Sequence, residues 1–257
     1  MLPTFVAKGA PHAYQSLGPA LTAETPHVIW GHGWGQSHAA FLPLARTLER
    51  HAHHTVLDFP GFGESPIPPA VWGTQDYADA LADWLRTLPR GRRVYVGHSF
   101  GCRVALRLAA RHPDVVDALV LAAGAGLKRQ RSLVERARIF VKVRLYKTLK
   151  LAERLGLDVS AQKARFGSAD YRNAGALRPI FVAVIAEDQT EVARQIRCPV
   201  ALLYGEKDGE TPPEIGERLS KLIPGATLAV LPGLDHYSIL TDGAPQITYA
   251  VSRMLEG

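Results

Sequence analysis

Between residues 27 and 122 the chain alternates short, nearly continuous apolar runs with longer segments whose apolar residues recur at helical spacing. The runs are His27–Trp30, Thr55–Phe59, Arg93–Val96 and Val116–Ala122. The helical segments place Phe41, Leu44, Ala45 and Leu48 on one face, and Tyr77, Leu81, Trp84, Leu85 and Leu88 on another. A strand with no polar side must be covered on both faces. The pattern therefore predicts an α/β fold: a mostly parallel central sheet with helices on both faces. In such a sheet, functional loops gather at the carboxyl ends of the strands. The chain's 257 residues suit one large domain of this kind or a core carrying an insertion. Two broken runs before it, Thr4–Ala7 and His12–Gly18, fit antiparallel edge strands.

Three loops at predicted strand ends carry chemistry. After Val96 the chain reads Gly97-His98-Ser99-Phe100-Gly101, and a helix to about Arg111 follows at once. G-x-S-x-G in a strand-turn-helix setting forces a sharp reversal at the serine, which Gly97 and Gly101 permit by lacking Cβ. After the run Pro199–Tyr204 comes Gly205-Glu206-Lys207-Asp208-Gly209, and after Leu228–Leu231 comes Gly233-Leu234-Asp235-His236-Tyr237. A serine hydroxyl needs a base within hydrogen-bond reach, and that base needs a carboxylate to fix its tautomer. Ser99, His236 and Asp208 supply these parts, with Glu206 and Glu210 as weaker alternatives for the acid. Asp235, adjoining the base in sequence, is poorly placed to orient it. The loop Gly31-His32-Gly33-Trp34-Gly35 lacks the spelling of a phosphate loop. It reads as one side of an oxyanion hole, with the backbone N–H of Trp34, to within one residue, and that of Phe100 as donors. Trp34, Phe100, Ile180, Phe181 and Tyr237 are the predicted substrate-binding residues, forming an apolar acyl pocket.

Other polar residues read as structural. Asp58, before Pro60-Gly61, orders its loop, and His32 and His98 order theirs. His51, His53 and His54 read as a solvated loop. Ser37 is a predicted helix cap, as is Thr241 or Asp242 for the closing helix. No metal-ligand spacing is present and no cofactor is expected. Cys102 and Cys198 make no disulfide framework; Cys102 reads as a small buried hydrophobe, and the pair fits a reducing cytoplasm. Met1–Thr4 shows no basic start to a secretory signal, and no apolar run is long enough to span a membrane.

The alternation stops near Gly124 and resumes at Pro199. Residues 125–187 therefore read as a helical cap inserted into a core of residues 1–124 and 188–257. Within it, Phe166–Arg172 reads as a loop and Leu177–Ala186 as an apolar helix. From 128 to 154 stand ten Lys or Arg against Glu135 and Glu153, a surplus larger than the +6 of the whole chain. Leu133, Ile139, Phe140, Val143, Tyr146, Leu149 and Leu155 are interleaved among the cations. The segment is either a cap helix with a solvated basic face or a docking surface for an acidic partner or an anionic membrane. No nucleic-acid-binding motif accompanies the charge, so nucleic acid is not an expected partner.

His32-Gly33-Trp34-Gly35, Asp58-Phe59-Pro60-Gly61-Phe62-Gly63, Gly97–Gly101, Gly205–Asp208 and Asp235-His236 together resemble the α/β-hydrolase fold superfamily over nearly the whole chain. The resemblance implies Ser99 as nucleophile, His236 as base and Asp208 as acid. Some members carry the acid after the preceding strand, but Ala123-Gly124-Ala125-Gly126 holds no carboxylate there. The implied activity is cleavage of a carboxylic ester or thioester, with a small or medium acyl group, through an acyl-enzyme on Ser99. A ligand-binding or receptor protein on the same scaffold, a serine haloperoxidase and a C–C hydrolase or lyase are the alternatives. The His-Gly-Trp-Gly loop with a basic cap is also similar to bacterial carboxylesterases that act on a carrier-bound acyl chain.

Overall fold

The architecture is seen in a computed structural model that describes residues 1–130, 133–155, 158 and 169–256. Eight strands form one sheet in the order β1-β2-β4-β3-β5-β6-β7-β8. They are β1 Thr4–Ala7, β2 Ala10–Leu17, β3 His27–Gly31, β4 His53–Leu57, β5 Arg93–His98, β6 Ala118–Ala122, β7 Val200–Gly205 and β8 Thr227–Leu231. β1 pairs antiparallel with β2, and β2 with β4; every other pairing is parallel. All residues of β3, β5, β6 and β7 are buried. Successive side chains point to opposite faces, so Tyr95, Leu119 and Leu202 enter one core while Val94, Val96 and Val120 enter the other.

Helices α2 Thr74–Thr87, α3 Phe100–Arg111 and α8 Pro213–Leu222 cover the first face, and α1 Leu42–Thr47 and α9 Ala244–Glu256 cover the second. Between β6 and β7 the described residues form only helices: α4 Leu133–Arg154, α5 Ala169–Asn173, a short 3₁₀ turn, α6 Arg178–Ala186 and α7 Thr190–Ala193. Glu187 ties their return to the core. Its carboxylate accepts the N–H and hydroxyl of Thr74 and lies 3.2 Å from Arg107 Nη2.

Four local readings are corrected. His53 and His54 belong to β4, not to a solvated loop, because parallel pairing with β3 carries them into the sheet. There Trp30 Nε1–H donates to buried His54 Nδ1 at 3.0 Å. Ser37 makes no capping bond; a 3₁₀ turn, His38–Ala40, intervenes before α1. The closing helix begins at Ala244 after Gly243, while Thr241 and Asp242 donate backwards to the Ser238 carbonyl. Of the predicted loop Phe166–Arg172, residues 166–168 lie outside the described residues, and Ala169–Asn173 is helical because it supplies α5.

The junction of β3, β5 and α3 fixes the rest. A Cβ on Gly101 would stand 2.0 Å from the Gly31 carbonyl oxygen, and one on Gly97 would stand 2.9 Å from backbone atoms of Gly101 and Cys102. Backbone atoms cannot rotate away as a side chain can. Gly101→Ala is therefore expected to destabilise the protein by about 3 kcal/mol or more, against a milder loss for Cys102→Ala in the same buried turn. Denaturant unfolding of the two variants beside wild type measures the difference.

Candidate active site

Ser99 occupies the turn between β5 and α3 with φ 48° and ψ −102°, a left-handed backbone in a residue that has a Cβ. Such a conformation costs of order 1–3 kcal/mol and persists only where its surroundings enforce it. Here Ser99 N–H donates to the Ala122 carbonyl at 3.2 Å, and Gly101 N–H donates to the His32 carbonyl at 3.1 Å. The hydroxyl is thereby held above the sheet's carboxyl edge.

The loops after β7 and β8 bring two partners to it. Ser99 Oγ lies 3.0 Å from His236 Nε2, and His236 Nδ1 lies 2.8 Å from Asp208 Oδ2. The Asp208 side chain is wholly buried and that of His236 nearly so. Asp208 Oδ1 accepts the N–H groups of Glu210 and Thr211, both at 2.8 Å, and Oδ2 accepts the Thr211 hydroxyl at 2.8 Å. Burial pushes the Asp208 carboxyl upward. The hydrogen bond and charge of His236, with the donors of Thr211, outweigh burial and hold it below the usual carboxylate range. Thr211 was not singled out in the sequence. Its signal is the spacing Asp208-x-x-Thr211, which suits local side-chain-to-backbone bonding.

His98 approaches from beneath. Its Nε2 lies 2.8 Å from the His236 carbonyl and its Nδ1 3.0 Å from Gln36 Oε1. Burial first, then the charge of His236, lowers its pKa to about 3; burial likewise lowers His32 to about 4. Both rings are neutral near pH 7 and carry one N–H each, so His98 donates to one of the two oxygens it faces. His32 Nδ1–H donates to the Gly33 carbonyl at 2.7 Å, and its Nε2 accepts the Phe59 N–H at 3.1 Å. Asp58 accepts the N–H groups of His38 and Glu64 at 2.6 and 2.8 Å, the loop-ordering role read from the sequence.

The remaining predicted residues divide into two groups. Trp34 packs against Phe62, Phe100 and Phe181 with ring centroids 4.9, 5.6 and 4.8 Å apart. Ile180 and Phe181 are buried, and the Phe100 ring turns inward among Phe59, Phe62 and Tyr77. Tyr237 stands apart from this aromatic group, half exposed and edge-on to His236. Among the backbone donors, Gly33 N–H is engaged by Gln36 Oε1 and Cys102 N–H by the Ser99 carbonyl. The N–H groups of Trp34 and Phe100 adjoin these. Of the alternative acids, Glu206 accepts the Gly233 N–H, and Asp235 accepts the N–H groups of Tyr237 and Ser238. Glu210 lies at the opposite edge of the His236 ring from Asp208. A groove of about 590 Å³ between β7, β8 and α9 is lined by none of the residues around Ser99 and plays no part here. Among the described residues no His/Cys/Asp/Glu group could hold a metal ion, and no helix is long and apolar enough to cross a membrane.

A serine, a buried histidine and a buried carboxylate in hydrogen-bond sequence at the carboxyl ends of three parallel strands is an arrangement for nucleophilic acyl transfer. Residues 26–138 match the family model described as alpha/beta hydrolase fold. A pimeloyl-[acyl-carrier protein] methyl ester esterase of Chromobacterium violaceum is 31% identical over 232 residues, covering 84% of this chain and 89% of that one. A 2-(acetamidomethylene)succinate hydrolase of Mesorhizobium japonicum is 28% identical over 238 residues, covering 87% and 85%. The crystal structure of a hydrolase from Pseudomonas aeruginosa superposes with a TM-score of 0.74 at 23% identity, covering 100% of this chain and 98% of that one, a likeness of fold. The chain belongs to the alpha/beta hydrolase fold family. It is an enzyme, an esterase-like hydrolase.

Because Asp208 is held below its unfolded value, its ionised form stabilises the fold above the unfolded pKa of about 3.9, and that contribution is lost as pH falls through the lower folded value. The stability gap between wild type and Asp208→Asn is expected to be widest near pH 7 and to narrow steadily below about pH 4. Denaturant unfolding at a series of pH values reads it directly.

Proposed function

We propose that this enzyme cleaves a carboxylic ester or thioester, with Ser99 as nucleophile, His236 as general base and Asp208 as the acid that orients it. The single observation that carries the reading is the line Ser99 Oγ–His236 Nε2 at 3.0 Å and His236 Nδ1–Asp208 at 2.8 Å. Ser99 Oγ attacks the carbonyl carbon as its proton passes to Nε2. The oxyanion meets the N–H groups of Trp34 and Phe100, and the imidazolium is stabilised by Asp208. Nε2–H then protonates the leaving oxygen or sulfur as the acyl bond breaks. Water, deprotonated by Nε2, attacks the acyl-enzyme, and the acid leaves with Ser99 restored. Trp34 and Phe181, with Ile180 behind them, supply apolar surface for the acyl chain, and Tyr237 borders the opposite side. In this reading residues 1–124 and 188–257 are the catalytic core, 125–187 are a cap over it, and the enzyme works in the cytoplasm.

A docking role for the cap rests on α4. Val134, Phe140, Val141, Leu145 and Leu151 are exposed along it beside Arg138, Arg144 and Lys147, and the Arg144 guanidinium lies over the Phe140 ring. One relative is named for an acyl-carrier-protein ester. We propose that α4 docks an acidic carrier bearing the acyl group, cations meeting its carboxylates.

Four measurements test these readings. Across p-nitrophenyl esters from acetate to laurate, wild type is expected to show a clear chain-length optimum, and Ser99→Ala to lose at least about 10³-fold in kcat/KM. A fluorophosphonate is expected to label Ser99. Equal background rates and no label would instead favour a binding protein on this scaffold. Arg144→Glu with Lys147→Glu is expected to lower turnover of a carrier-bound ester about 10-fold while sparing p-nitrophenyl esters. Salt-sensitive sedimentation with anionic vesicles, without that loss, would assign α4 to a lipid surface instead.

A further inference from the structure

The His236 ring stands between two carboxylates. Asp208 holds Nδ1 at 2.8 Å, and Glu210 Oε2 lies 3.4 Å from Nε2, the nitrogen that also faces Ser99 Oγ. The two acids are coupled through the backbone. Asp208 Oδ1 accepts the Glu210 N–H, so the residue that orients the ring also fixes the point from which Glu210 projects. Tyr237 O–H then donates to Glu210 Oε1 at 3.2 Å, setting the side chain's direction. The Asp208 side chain is 0% exposed and that of Glu210 50% exposed, so Glu210 is turned toward solvent. Asp170 of α5 lies within electrostatic reach of the same point: burial and then the charge of Glu210 raise its carboxyl, and His236 lowers it. Among the described residues, Glu210 and Asp170 act on the side of Nε2 away from Asp208, and the Arg129 guanidinium donates to the neighbouring Gly209 carbonyl at 3.2 Å.

Acyl-transfer chemistry gives that placement a consequence. Nε2–H must deliver its proton to the leaving oxygen, so the leaving group's substituent passes within a few ångströms of Nε2, and hence of Glu210. We infer that Glu210 sets the charge preference of the leaving-group side, favouring esters whose alcohol carries a cation over neutral isosteres and disfavouring those whose alcohol carries an anion. This rests on the serine-hydrolase reading above. Glu210 exchanges no proton in the reaction. The acyl C–O bond breaks, the proton comes from Nε2, and the carboxylate acts through its field on the bound alcohol and on the departing one.

The experiment uses three esters of one acid, its chain length taken from the p-nitrophenyl optimum: the choline ester, its uncharged isostere the 3,3-dimethylbutyl ester, and the ester of glycolate. Acid release is followed for wild type and Glu210→Gln, a substitution that keeps the side chain's shape and an acceptor for Tyr237. A half-exposed carboxylate is screened, so the expected choline-to-dimethylbutyl ratio of kcat/KM is about 10 in wild type, with glycolate shifted the opposite way. In Glu210→Gln both ratios are expected to move toward 1. Equal ratios in the two proteins overturn the inference while Ser99-dependent hydrolysis of the neutral ester leaves the hydrolase reading standing. Failure of wild type to hydrolyse even the neutral ester overturns both. Should Glu210→Gln not fold, a salt series on wild type decides. A choline preference that collapses between about 20 and 500 mM salt supports the inference, and one that ignores salt overturns it.

Discussion

Everything at this site depends on one close approach, that of Gly101 to the Gly31 carbonyl. It lets α3 start directly above the ends of β3 and β5, and only a residue without Cβ allows it. The turn between strand and helix then has no room for a relaxed path, and Ser99 takes a left-handed conformation that its side chain would otherwise disfavour. The strain is held by bonds on both flanks, from Ser99 N–H to Ala122 and from Gly101 N–H to His32. Those same contacts register the His32–Gly35 loop against the serine. The position of the hydroxyl and of the loop beside it are therefore consequences of one packing constraint.

The base is fixed by a different economy, in which charge is confined to few groups. Four ionisable rings or acids lie close together: His98, His236, Asp208 and, further out, Glu210. His98 is fully enclosed and neutral, so it adds no positive charge beneath the catalytic ring while still meeting its carbonyl. Asp208 is just as enclosed but stays ionised, because Thr211, the Glu210 N–H and His236 give its oxygens four partners. A buried carboxylate without them would take up a proton and lose its hold on the imidazole. Thr211 thus helps to hold the charge on Asp208, although it touches no reacting atom in the proposed mechanism.

Much of this was legible before any coordinates. The sheet declared itself through strands with no polar side, and the serine turn through glycines that the geometry cannot do without. Local readings failed where tertiary contacts overrode composition. His53 and His54 look like solvated polar residues, yet parallel pairing with β3 and a bond from Trp30 bury His54 within the sheet. Ser37 is a good cap by type, but Phe41 and the 3₁₀ turn before it delay the helix to Leu42. The resemblance already favoured Asp208 over Glu210 as the acid, but where the Glu210 side chain lies was beyond the sequence. Two carboxylates two residues apart are equivalent in composition, and only the direction of the chain after Gly205 sends one inward and the other out.

That division explains how two acids can touch one ring and do different things. Electrostatic strength depends on what surrounds the pair. Asp208 meets Nδ1 out of contact with solvent, so its hydrogen bond fixes both tautomer and ring angle. Glu210 meets Nε2 beside solvent, at a distance longer than an ordinary hydrogen bond, and cannot compete with Ser99 Oγ for that nitrogen on geometry. A field that is too weak to capture the base still acts on whatever enters the space next to it. The aromatic wall of Trp34, Phe62 and Phe181 presents no charge to the opposite side of the site. The two sides are supplied by separate parts of the chain, loops after β3 and β4 with α6 for one, loops after β7 and β8 for the other. In the proposed mechanism, acyl length and leaving-group charge can therefore be tuned by substitutions that do not meet.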